Sequence, residues 1–240
     1  MSLPELNQPI ALRPDYIPAR TITLLVTQHQ GAKLHSEGEE ITVKRQPYLQ
    51  EKSENRDQGE KLFSIDSEVV PLSQRRFFRD ASGLPLFELV QKKAGVTWFV
   101  YLPGQKEKGN EGEAIAAIAP RWNPLKNKLD VYVRNAGDGK EKKLKVRGLD
   151  MAKSRTHVYH QDQLVMDATR VDAHKSATRL EWRVEVAKGL DVSLVCLSLQ
   201  VALLMLMAGF GDYGCAGVYA AYHRGVFVPG AGDSRVQGRC

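Results

Sequence analysis

The sequence predicts a mainly β protein, a closed antiparallel β-barrel built around a hydrophobic C-terminal α-helix. Two observations predict it. Short segments in which apolar and polar residues alternate, broken by turn residues, dominate from 22 to 183, and a period of two is typical of strands with one buried face. A continuous apolar segment follows them, and it has the length of a helix rather than of a strand.

The strand prediction is clearest in segment 97–102, which is rich in strand-forming residues, and in segments 129–133 and 143–147, where apolar residues recur at every second position. Residues 80–83, Asp-Ala-Ser-Gly, separate two such segments and have the composition of a hairpin turn. Proline is tolerated at the first position of a strand, so Pro85 marks the start of the second segment. Many short strands at regular spacing indicate a sandwich or a barrel.

The apolar segment 192–208 contains no charged residue, glycine or proline. Asp191 stands at the position of a helix N-cap and Gly209 at that of a C-terminal glycine cap. Apolar residues on every face of a helix indicate burial in a protein interior or in a membrane. A membrane span needs about 20 apolar residues, whereas a wide barrel has a lumen that a helix can fill. We favour the helix inside the barrel, with a tail-anchored membrane protein as the less favoured alternative.

The predicted organisation has three parts. Residues 1–20, punctuated by four prolines, form an extended N-terminal segment; residues 21–208 form the barrel domain with its central helix at 191–208; residues 209–240, with eight glycines, form a disordered tail. Cys196, Cys215 and Cys240 do not make a disulfide framework. We therefore expect a cytoplasmic protein, at the periphery of a membrane or in the nucleus, and a monomer.

Positive charge is concentrated in one stretch. Residues 121–155 contain eleven Lys/Arg and four Asp/Glu, a local charge of +7 in a chain whose net charge is +6. Basic stretches attract acidic lipid head groups or acidic proteins. Aromatic residues, apart from Tyr132, are not interleaved with these cations, so we expect no nucleic acid partner.

The candidate lipid- or anion-binding residues lie within this stretch and are Lys142, Lys143, Lys145 and Arg147. In a strand, Lys143, Lys145 and Arg147 point outward together. The alternative interpretation is a charged edge strand that prevents aggregation between sheets. Arg121, Lys126, Lys128, Lys153 and Arg155 are further cations that could extend the surface.

Enzymatic chemistry is not predicted. No Ser-His-Asp or Cys-His set is recognisable in the sequence, and His157 and His160 lie three residues apart, which places them on opposite faces of a strand. Residues 209–214 fit the spacing G-x-G-x-x-G but do not follow a strand or open a helix, as a dinucleotide site requires. We therefore expect no catalytic residue, no cofactor and no metal.

The order of these features resembles that of the LURP-one-related (LOR) family, which shares the tubby-like fold. The residues that carry the resemblance are RFFRDASGLPLFEL (76–89), WFVY (98–101), VY (158–159), WRV (182–184) and DVSLV (191–195). The resemblance extends from about residue 41 to residue 208. It implies a barrel of about twelve strands around a central hydrophobic helix.

The resemblance also implies two kinds of partner. Tubby proteins bind phosphoinositides through basic residues on the outside of the barrel, which implies an acidic phospholipid ligand for this chain. The alternative is a protein-interaction or scaffold domain with the same fold, no lipid ligand and an unidentified protein partner. Most LOR proteins have no assigned biochemical activity.

Overall fold

A computed structural model describes residues 3–29, 39–47, 59–70, 73–91, 97–105, 112–121, 128–149, 154–171 and 179–207. Twelve strands precede one helix in this part of the chain. They are β1 (Ile22–His29), β2 (Glu39–Arg45), β3 (Glu60–Val70), β4 (Ser73–Asp80), β5 (Pro85–Gln91), β6 (Trp98–Tyr101), β7 (Ala116–Arg121), β8 (Lys128–Arg134), β9 (Glu141–Gly148), β10 (Arg155–His160), β11 (Gln163–Arg170), β12 (Arg179–Val186) and the helix α1 (Val192–Met207).

The strands form one closed barrel in which each strand pairs with its neighbours in sequence. β1 closes the barrel because it pairs antiparallel with β2 on one side and with β12 on the other. All the pairings between neighbours are antiparallel, for example Asp130 opposite Lys145 between β8 and β9. The predicted fold class, including the number of strands that the resemblance implies, is confirmed.

Alternation along the strands places one set of side chains inside the barrel. Phe63, Phe78 and Phe87 are fully buried, and their rings lie 4.9 and 5.9 Å apart between successive centroids. Tyr16 places its ring edge-on against Phe63 at 4.9 Å. Such tilted and edge-to-face contacts add to the stabilisation that comes from burial of the rings.

The helix α1 fills the interior of the barrel. Residues 192–199 and 201 are at most 3% exposed, and all of them except Ser193 and Ser198 belong to the same apolar core as the strands. Asp191 caps the helix, because its Oδ1 accepts hydrogen bonds from the backbone N–H and the hydroxyl of Ser193, both at 2.7 Å. This confirms the predicted N-cap. The predicted C-cap Gly209 and the tail 209–240 lie outside the described residues.

Residues 3–20, called here the strap, lie across the end of the barrel at which α1 begins. Its side chains Leu3, Leu6, Ile10 and Leu12 join the core. Backbone hydrogen bonds run from Leu6 N–H to the Lys188 carbonyl and from Ile10 N–H to the Gly189 carbonyl. The strap also contains a short 3-10 turn, Pro14–Tyr16. Sequence reasoning predicted only an extended segment here, not its packing.

Two buried polar side chains attach the strap to the barrel. Asn135, which follows β8, accepts a hydrogen bond from Ala11 N–H at 2.9 Å. The other oxygen of Asp191, Oδ2, accepts the N–H groups of Leu12 and Arg13, each at 2.9 Å. Burial raises the pKa of Asp191, and its hydrogen bonds oppose that rise. These hydrogen bonds join the strap to the β8–β9 hairpin and to the start of α1, although the bonded residues are far apart in sequence.

The β4–β5 hairpin has the turn that the sequence predicts. Asp80 Oδ1 accepts the backbone N–H groups of Ser82 and Leu84, each at 2.9 Å. Gly83 has a φ of +88°, a conformation that glycine adopts without steric cost. Pro85 is the first residue of β5, as predicted.

Candidate anion-binding surface

The strand β9 presents three predicted cations on the outer wall of the barrel. Leu144 and Val146 point inward and are 0% and 2% exposed. Lys143, Lys145 and Arg147 alternate with them and face outward. A strand rises about 3.3 Å per residue, so the three cations lie along about 13 Å of rigid sheet. The alternation that the sequence predicts for this segment is therefore confirmed.

Lys142, the fourth predicted cation, is separated from the other three. It lies on the inward-facing side of β9 at the end of the barrel, and its side chain is 16% exposed. Its ammonium group lies 2.9 Å from Asp138 Oδ2 and 3.5 Å from Gln8 Oε1 of the strap. The structure therefore brings Lys143, Lys145 and Arg147 together and places Lys142 at a different site.

Asp130 of β8 lies at the centre of the outer basic surface. Arg121 Nε lies 2.7 Å and Lys143 Nζ 2.9 Å from Asp130 Oδ2, and Arg147 Nη2 lies 3.0 Å from Oδ1. The Asp130 side chain is 5% exposed. Burial alone would raise the pKa of Asp130, but the hydrogen bonds from the three cations outweigh it and lower the pKa to about 2. The carboxylate is therefore ionised at neutral pH.

Tyr132, two residues further along β8, orients two of these cations. Its hydroxyl oxygen accepts a hydrogen bond from Arg121 Nη2 at 2.7 Å. Lys143 Nζ lies 5.3 Å from the centroid of its ring, within the range of a cation–π interaction. Arg147 is held separately, because its Nη1 donates to the carbonyls of Leu129 and Val146 at 2.8 and 2.7 Å. These contacts restrict the side chains before any ligand binds.

The cluster of Arg121, Asp130, Lys143 and Arg147 carries a surplus of positive charge. Three cations surround one carboxylate, so these four side chains together have a net charge of +2. The wall formed by β4 is different. There Arg75 pairs with Glu88 at 2.5 Å and Arg79 with Asp66 at 2.6 Å, one carboxylate for each arginine.

Further cations flank the cluster. Lys128 lies opposite Arg147 in the register of β8 and β9. Lys145 pairs with Asp162 of the β10–β11 hairpin at 2.9 Å, and Arg155 pairs with Asp167 at 2.7 Å. Arg121, Lys128 and Arg155 therefore extend the surface, as the sequence suggested, whereas Lys126 and Lys153 lie outside the described residues.

His157 lies beside Arg147 on the neighbouring strand. Its Nδ1 is 2.9 Å from the hydroxyl of Tyr159, and its Nε2 is 3.4 Å from Asp167 Oδ1. Burial lowers the pKa of His157, although the charge of Asp167 opposes the shift. The imidazole is therefore neutral at pH 7 and adds no charge to the surface.

Sequence reasoning missed Asp130, the residue that organises this surface. The alternation around it indicates that it shares the outer face with Tyr132, but its contact with Arg121 and Arg147 depends on the register of β7 and β9 against β8. The available signal was that Asp130 is the one acidic residue of segment 128–134 inside the basic stretch.

The described residues also bear on two other kinds of site. None of the helices there has the length and apolar character that a membrane crossing requires. His, Cys, Asp and Glu side chains form no group of three there that could hold a metal ion.

The comparisons with known proteins agree with this architecture. The X-ray structure of a protein from Arabidopsis thaliana is similar to this chain with a TM-score of 0.53 and 19% sequence identity, covering 82% of this chain and 98% of that one. At that identity the similarity shows the fold alone. None of the curated proteins matches the chain. The family model for LURP-one-related proteins matches residues 39–203, which contain β2 to β12 and most of α1. The match spans more than half of the chain, and the protein belongs to the LURP-one-related family.

Proposed function

We propose that the protein is a non-enzymatic, monomeric domain that binds the acidic phospholipids of a cytoplasmic membrane surface. The binding surface is the outer wall of β7 to β9, with Arg121, Lys143, Lys145 and Arg147 as its cations. The observation that carries the proposal is the grouping of three cations around Asp130, which gives these four side chains a net charge of +2 on rigid strands.

Phosphate groups fit this surface for an electrostatic reason. Each Lys or Arg near an acidic membrane contributes about 1 kcal/mol of attraction, which falls off within a Debye length. Asp130 accepts hydrogen bonds from Lys143, Arg121 and Arg147, so it offsets their mutual repulsion and holds the three cations close together in a fixed arrangement. A phosphate then meets side chains that lose little conformational freedom on binding.

The test is flotation of the purified protein with liposomes. Liposomes of phosphatidylcholine alone are compared with liposomes that also contain phosphatidylserine or a phosphorylated phosphatidylinositol, at low and at high salt. We expect the protein to float with the acidic liposomes, and high salt to release it. Stronger flotation with the phosphorylated phosphatidylinositol than with phosphatidylserine at equal total lipid charge identifies a phosphoinositide as the ligand.

The variant Lys143→Gln with Lys145→Gln removes two charges from the surface and weakens binding by about 2 kcal/mol, or about 30-fold. The matched control is Arg45→Gln. Arg45 is exposed at the end of β2, on the wall opposite β8 and β9 in the strand order, and its loss leaves flotation unchanged. If the folded wild-type protein floats with none of the acidic liposomes, the proposal is wrong and a scaffold domain with a protein partner replaces it.

A further inference from the structure

A cavity of about 330 Å³ lies between the strap and the ends of β9 to β11. It is on the inward-facing side of β9, separate from the outer surface that contains Lys143. The side chains that line it include two apolar ones, Leu6 and Ile10, and four polar ones, Gln8, Lys142, His160 and Gln161. The volume is at the lower end of the range for small-molecule sites.

Lys142 contributes a hydrogen-bond donor to the cavity. An ammonium group has three N–H donors. One is directed to Asp138 at 2.9 Å and one to Gln8 at 3.5 Å, which leaves the third available to a molecule in the cavity. Asp138 is fixed independently, because its Oδ1 also accepts from Asn135 Nδ2 at 2.8 Å and from Lys140 N–H at 3.1 Å.

His160 contributes an acceptor. Its Nδ1 lies 3.1 Å from the carbonyl oxygen of Lys143, and a carbonyl oxygen can only accept, so Nδ1 carries the proton. In the neutral ring the other nitrogen, Nε2, is then an acceptor. The side-chain amides of Gln8 and Gln161 can each donate and accept. The polar wall therefore offers both kinds of hydrogen-bonding group.

The charge of Lys142 is balanced by Asp138, which lies next to the cavity wall. The cavity therefore attracts neither a strong anion nor a strong cation. Mixed donors and acceptors beside the apolar side chains of Leu6 and Ile10 suit a neutral ring that carries hydroxyl groups on its edge and C–H bonds on its face. We propose that this cavity binds a single cyclic polyol, the size of one sugar or cyclitol ring.

The strap side of the cavity is held in place without a ligand. Gln163 Nε2 lies 3.1 Å from the Glu5 carbonyl and 3.4 Å from the Pro4 carbonyl. Leu6 N–H donates to Lys188 O at 3.1 Å, and Ile10 N–H donates to Gly189 O at 2.9 Å. A ligand therefore meets a formed site and does not have to order the strap.

The test uses nuclear magnetic resonance of the ¹⁵N-labelled full chain, titrated with glucose and with myo-inositol. We expect saturable shifts of the Gln8, Gln161 and Gln163 side-chain amides with at least one of the two rings. Lys142→Met keeps the alkyl chain but removes the donors, and it weakens binding about tenfold. Gln8→Leu gives a similar loss and serves as a second variant if Lys142→Met does not fold.

The matched control is Lys143→Met, the same substitution at the next residue, whose side chain is on the opposite face of β9. It leaves the titration unchanged and weakens flotation with phosphatidylserine liposomes. Lys142→Met weakens the titration and leaves flotation with phosphatidylserine liposomes unchanged, so each proposal can fail without the other. If Lys142→Met also weakens flotation with phosphatidylinositol liposomes, the ring is a lipid head group; if not, it is a free polyol. The absence of shifts with both rings, or equal shifts in wild type and Lys142→Met, overturns the proposal.

Discussion

Replacement of Asp191 with alanine should destabilise the whole barrel, because this side chain joins the helix start to the strap. Its Oδ2 accepts the N–H groups of Leu12 and Arg13, and its Oδ1 accepts two groups of Ser193. Asp191 is fully buried, so water does not replace these partners. Each buried N–H left without an acceptor costs about 1–3 kcal/mol, and loss of a helix cap costs about 1 kcal/mol.

Removal of the buried carboxylate offsets part of this loss, because burial raises its pKa and therefore opposes its ionisation. The expected net loss in the free energy of unfolding is about 3–5 kcal/mol, a large fraction of the stability of an ordinary domain. Asp191→Asn keeps one acceptor oxygen and should lose about half as much.

The assay is urea unfolding followed by circular dichroism, with hydrogen exchange of the Leu12 and Arg13 amides as a second measurement. We expect a lower midpoint with a similar slope, and faster exchange at both amides. A loss below about 1 kcal/mol for Asp191→Ala, with both amides still protected, would refute the assignment of Asp191 as the connection between strap and helix.

Two further predictions follow from the core and from the basic cluster. Leu199→Lys buries a charge inside the barrel, since Leu199 is 1% exposed, and should abolish the cooperative thermal transition. The control Leu84→Lys changes a residue that is 64% exposed and should leave the transition unchanged. An unchanged transition in both variants would mean that α1 is not the core. The pKa of Asp130 is lowered from 3.8 to about 2, so its ionisation contributes stability that is present above about pH 4 and is lost as the pH falls towards 2. Asp130→Asn should therefore lower the melting temperature at pH 7 and have a smaller effect near pH 2, and a loss that does not change with pH would contradict this.

The parts of the fold that depend on local pattern were predictable. Alternation at 129–133 and 143–147 identifies β8 and β9, since inward and outward side chains must alternate in a half-buried strand. The Asp80–Gly83 turn and the Asp191 cap follow from the hydrogen bonds that short polar side chains make to nearby backbone. An all-apolar helix that follows a series of strands is predicted to be buried, because it has no polar face to expose to water.

The parts that depend on contacts across the sequence were not predictable from pattern. The strap packs on the barrel through Asn135 and Asp191, 124 and 179 residues away from their partners Ala11 and Leu12. Lys142 was grouped with its neighbour Lys143, but the period of two places it on the other face of β9. Unlike the packing of the strap, this separation follows from the sequence pattern alone, since Lys143, Lys145 and Arg147 occupy the outward positions of the strand.

The arrangement of β1 and α1 constrains how this protein can fold during synthesis. β1 is the first strand to leave the ribosome, yet its partner β12 and the helix that fills the barrel come at residues 179–207. The barrel can close around α1 only after nearly all of the described chain has emerged, so the nascent strands expose apolar faces until then. Such long-range closure makes folding slow and makes the unfinished chain prone to aggregation. A chain truncated before residue 192 would lack the helix that fills the barrel, and we expect it to require a chaperone or to aggregate.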